Sequence, residues 1–102
     1  MTDSEREQQE KDVLHAEHKT KAELSAYIVR LQRMQQDVQK WSEHLKMLAG
    51  TLERTDLPIE RAKQWRMFPE VDLKEVLSAC DEAIVVRSRL DGIQSHKNKL
   101  GL

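Results

Sequence analysis

Near the start of the chain Asp12, His15 and His18 stand three residues apart, as Asp-x-x-His-x-x-His. On a helix that spacing sets neighbours on one face, where a carboxylate and two imidazoles could ligate a metal. Carboxylate metal sites in helical bundles, however, draw inward-facing ligands from several helices. This segment lies outside the chain's apolar stripe, so the three are expected to be solvated polar residues and no metal site is assigned. Cys80 falls on the apolar side of its own segment, where a free thiol behaves as a small hydrophobe. His44 flanks an apolar seam, a poor place for a general base. The glycines are isolated at positions 50, 92 and 101, so no glycine-rich phosphate loop exists. No catalytic or cofactor-binding residue and no cofactor is assigned, and the chain is not expected to be an enzyme.

The elements that would have to position any such groups are helical. Of 102 residues, 38% are hydrophobic and 34% charged, with only one Phe, one Tyr and two Trp. Gln, Glu, Lys, Arg, Leu and Ala dominate, a set that keeps its rotamer freedom in helices and has weak strand preference. A chain of this size is one domain with a thin aliphatic core that partners would have to complete. The net charge of −1 provides no global field for nucleic acid or anionic lipid. Locally the ends differ: residues 1–12 hold five acidic groups against two basic ones, and residues 87–102 hold four basic groups against one acidic, so the two ends could pair. A single cysteine and the lack of a charged-then-apolar leader suggest a reducing, cytoplasmic location. The longest apolar run, Ala83 to Val86, is far too short for a membrane span.

From Leu24 the apolar residues step by three and four in alternation: Leu24, Tyr27, Leu31, Met34, Val38, Trp41, Leu45, Leu48 and Leu52. That is a heptad seam on one long helix. With Leu24 at position a, the g and e positions make no ion pairs for a parallel zipper, while Ile28, Ser42 and Ala49 at e widen the apolar face toward a hairpin or bundle. Carried backwards the register meets Thr20, Glu17, Val13 and Glu10, so the seam fails before Leu24. Residues 1–20 are read as a polar extension, helical or frayed, starting at a capping box in "SERE" (4–7) or "TKAE" (20–23).

After Leu52, Thr55 or Asp56 could cap a short second helix of about 57–67 with Pro58 in its first turn, and Pro69 would end it. "VDLKEV" at 71–76 reads as a start signal, with Asp72 as N-cap, Glu75 at N3 and Val71 stapled to Val76. The third helix carries Leu73, Val76, Leu77, Cys80, Ala83 and Ile84 on one side and is expected to stop near Asp91 and Gly92. The expected fold is therefore all-α: a long heptad-bearing helix folded back on a short helix and a third helix, a coiled-coil-like hairpin or three-helix bundle. Residues 21–92 form its domain and residues 93–102 a basic tail.

Trp65, Met67 and Phe68 fall at the joint between the second and third helices. Two readings stand there: large side chains plugging a corner, or a docking knob in which Trp65, Arg66 and Phe68 anchor a partner. The expected function is that of a non-enzymatic helical protein–protein interaction module. It would act as a subunit or adaptor in a homo- or hetero-oligomer through the Leu24–Leu52 seam. A plain monomeric bundle that satisfies the same seam internally is the bland alternative. The alternative from another class is a nucleic-acid-associated regulator using Arg87, Arg89, Lys97 and Lys99 on phosphates.

Overall fold

The computed structural model describes residues 2–102, and among them no strand forms. Helix α1 spans Asp3–Glu53, 51 residues, or about 77 Å at 1.5 Å per residue. It sets the long dimension of a molecule measuring 82 × 17 × 17 Å. Its start lies upstream of both expected boxes. Thr2 Oγ1 accepts the Glu5 N–H at 3.2 Å and the Thr2 N–H donates to Glu5 Oε2 at 3.4 Å, closing a capping box in "TDSE". Asp3 and Glu5 in the first turn also favour the positive end of the helix dipole.

The second helix is shorter than its sequence suggested. Helix α2 covers only Ile59–Lys63, with Pro58 at its N-cap, and continues as a 3-10 turn over Gln64–Arg66. Asp56 does not cap it, because its carboxylate is held by the Arg54 guanidinium, Nη2 to Oδ2 at 2.8 Å. That same contact lowers the pKa of Asp56.

Helix α3 runs over Leu73–Lys99. Asp72 is its N-cap, its carboxylate receiving the Lys74 N–H at 2.9 Å. The expected stop at Gly92 is corrected: the helix passes through it and ends seven residues later in a glycine cap. There Leu102 N–H donates to Lys97 O at 3.2 Å and Gly101 N–H to Asn98 O at 3.1 Å, with Gly101 at φ 77°. This pair of bonds is a Schellman motif. Residues 93–99 are therefore part of α3 rather than a separate basic tail.

Antiparallel to α1, α3 covers the N-terminal part of the long helix, while the 59–71 arm covers its C-terminal part. The buried apolar residues are Val13 on α1, Ala62 on α2, and Ala79, Ala83, Val86 and Leu90 on α3. Small residues at 79 and 83 let the two helix backbones approach closely. The segment read as an unpacked extension is thus the best covered part of α1, with Val13, Glu17 and Thr20 its buried positions. Glu17 tolerates this because Lys97 Nζ meets its two carboxylate oxygens at 3.1 and 3.2 Å. Those hydrogen bonds hold the Glu17 carboxyl below its ordinary range against the opposing effect of burial. The basic end of α3 pairs with Glu17 and Glu23 in the middle of α1 and not with the acidic residues 1–12, whose side-chain contacts are local.

Candidate functional site

The seam of α1 has two parts that are covered differently. Leu24, Tyr27, Leu31 and Met34 are half-buried against α3. Beyond Met34 the half-buried positions rotate toward Asp37, His44, Leu48 and Thr51, because the cover there is the 59–71 arm lying on that flank. The rotation strands one edge of the seam. Val38, Leu45 and Leu52, seven residues apart, remain 46%, 53% and 56% exposed.

What draws the arm to that flank is an aromatic cluster. Phe68 stacks on Trp41 with ring centroids 4.3 Å apart, and His44 meets Trp65 edge-on at 5.6 Å. Trp41 Nε1–H donates to Pro69 O at 2.6 Å, tying the indole to the backbone of the turn. Of the residues at the corner, Trp65 and Phe68 face α1 and are half-buried, while Arg66 and Met67 face water. Trp65 and Phe68 each pack against α1 at the corner. Trp41 is the piece missing from the corner as read from sequence, since a partner 28 residues away leaves no local signal.

Helix α3 has a stranded stripe of its own. Leu73, Leu77 and Ile84 are 68%, 66% and 67% exposed, with half-buried Cys80 between them. Spacings of three and four residues place all four on one side of the helix. Between this stripe and the exposed edge of α1 lies a shallow groove made of two adjoining depressions that share Val38; Leu45, Leu77 and Ile84 stand outside it on the open surface. Its floor holds Leu31, Met34, Val38 and Trp41 from α1, with Val71 from the arm and Leu73, Val76 and Cys80 from α3. Gln35, Gln39 and Ser42 form the polar wall. No charged side chain lines it.

The opposite side of the hairpin carries charge and hydrogen-bond pairs around one exposed apolar residue, Val85. Tyr27 O–H donates to Glu82 Oε2 at 2.9 Å, and Arg89 Nη1 meets Glu23 Oε2 at 3.2 Å. The Glu82 carboxylate accepting the phenol proton raises the Tyr27 pKa. The hairpin is therefore two-faced, and its apolar face lies on the half nearer the loop.

Asp12, His15 and His18 all stay exposed on α1. Among the described residues no three His, Cys, Asp or Glu side chains gather in a metal-binding group, and no helix is long and apolar enough to cross a membrane. Compared with protein-family models, curated proteins and solved structures, the chain matches none of them.

Proposed function

We propose that this chain is a non-enzymatic helical interaction module, a small subunit or adaptor that offers the apolar face of its loop half to a protein partner. One observation carries the reading. The chain exposes 8191 Å², whereas a folded globular chain of 11.9 kDa exposes about 5,900 Å². Part of the excess of about 2,200 Å² comes from the 82 × 17 × 17 Å shape, and it leaves ample room for the roughly 800 Å² that one partner of a standard interface buries. It coincides with large aliphatic side chains facing water and with a core in which, among the described residues, no large side chain is buried completely. Coiled-coil-like packing suits the face, because its two stripes repeat at helical spacing along parallel lines. One thiol, Cys80, fits a reducing, cytoplasmic setting.

The nucleic-acid reading has less support. Of its four cations, Arg87 pairs with Asp91 at 2.9 Å, Arg89 with Glu23 at 3.2 Å and Lys97 with Glu17 at 3.1 Å. Cations already neutralised by carboxylates release few counterions on meeting phosphate.

Comparative capture tests the proposal. Wild-type chain and a Leu45→Glu/Leu77→Glu variant, both shown helical and folded, are used as baits in extract of the native cell with quantitative mass spectrometry. Proteins held by the wild type and lost by the variant are expected. Identical captures by the two folded baits refute the role of this face.

A further inference from the structure

Resting on that reading and naming its partner, we propose that the occupant of the groove is a second copy of this chain. The two copies are related by a two-fold axis passing near Cys80, and their loop halves together form a four-helix bundle.

Area is the first argument. Val38, Trp41, Leu45, Leu73, Leu77 and Ile84 are each between 37% and 68% exposed, on the order of 100 Å² apiece or roughly 600 Å² in all. Dimer interfaces are about 65% apolar, so this much apolar surface implies roughly 900 Å² per copy, within the range of a standard specific interface. Two stripes, one from each helix of the hairpin, present the width of a helix pair. A matching helix pair covers both at once, as in a four-helix bundle.

Charge is the second argument. An isologous contact sets every residue near the axis against its own copy, so a charged face would repel itself. Here none of the side chains lining the groove is charged, and Arg87, next along the stripe after Ile84, is already paired with Asp91 at 2.9 Å. The chain's formal charge of −1 adds almost no long-range repulsion between copies. The charged Glu23–Arg89 pairing lies on the other side of the hairpin and stays solvated.

Cys80 provides a built-in reporter. It stands between Leu77 and Ile84 on the stripe and lines the groove, so the axis brings the thiols of the two copies toward each other. The test uses the full chain in reducing buffer across micromolar concentrations, by sedimentation equilibrium and by a short bismaleimide crosslinker read on a denaturing gel. Expected are a mass of about 24 kDa, twice the 11.9 kDa chain, and a crosslinked band of that size that Cys80→Ser abolishes. Leu77→Glu, at an exposed position that the fold does not require, is expected to weaken the dimer at least about 100-fold with helical circular dichroism retained. Val85→Glu, an exposed residue beside the polar face, is expected to leave the dimer intact. A 12 kDa mass at every concentration overturns the second copy as occupant; if capture still depends on Leu45 and Leu77, the interaction-module reading survives. A dimer that neither crosslinks through Cys80 nor responds to Leu77→Glu also overturns the proposal, since the copies then meet elsewhere.

Discussion

Replacing Gly92 by alanine separates two accounts of the third helix by the sign of one measurement. Glycine inside a helix is less stable than alanine by about 0.5–1 kcal/mol, because its unfolded backbone has more freedom to lose. Gly92 lies within α3 and does not share the positive φ of Gly101. A Cβ built at Gly92 meets nothing within 4 Å, so no clash offsets the gain. The Gly92→Ala chain should therefore be more stable by about 0.5–1 kcal/mol, which for a domain of this size raises Tm by about 3–6 °C. Thermal melts followed by helical circular dichroism, at matched protein concentration, provide the assay, with urea midpoints at unchanged slope as confirmation. A lower Tm refutes the reasoning, because it is the response of a helix that ends at Gly92 in a left-handed cap. Gly101 supplies the internal contrast. At φ 77° it closes the Schellman motif, and Gly101→Ala should cost about 1 kcal/mol locally and fray the last turn.

Three further outcomes follow from the packing. Leu90 is 6% exposed in the seam between α1 and α3, so Leu90→Ala should destabilise the chain by about 2–5 kcal/mol in urea unfolding, whereas Leu77→Ala, at an exposed position, should cost the monomer far less. Trp41→Phe keeps the stacked ring but removes the donor to Pro69 O, and should cost about 1 kcal/mol while leaving the far end of the hairpin unchanged by hydrogen exchange. Glu17 has its carboxyl pKa lowered in the folded state, chiefly by Lys97; its contribution is complete above the ordinary value of 4.5 and disappears as pH falls through the folded value. Melting temperature should drop more steeply below that pH in the wild type than in Glu17→Gln, and equal acid slopes in the two chains would contradict the role given to this pair.

The helical class, the long first helix and the Asp72 boundary were legible because each is encoded locally. Heptad spacing needs only the order of residues along one helix, and Asp72 caps through a backbone N–H two residues away. The two outer helix ends also rest on local signals: Thr2 with Glu5 as a capping box, and Gly101 followed by Leu102 as a helix end. Their competitors, "SERE" and Gly92, obey the same local rules, and nothing near them in the chain distinguishes the used signal from the unused one.

Which part of the seam would be covered was not local at all. Residues 1–20 look too polar to pack, yet Val13, Glu17 and Thr20 are buried, because Lys97, 80 positions along the chain, arrives to neutralise Glu17. The greasier stretch from Val38 to Leu52 is left half-bare, since Trp41 and His44 draw the return arm to one flank. Order and spacing along the chain are enough to determine that a helix forms and where its apolar residues recur. Which of those residues meet water depends on distant segments competing for the same surface, and only the folded hairpin settles that competition.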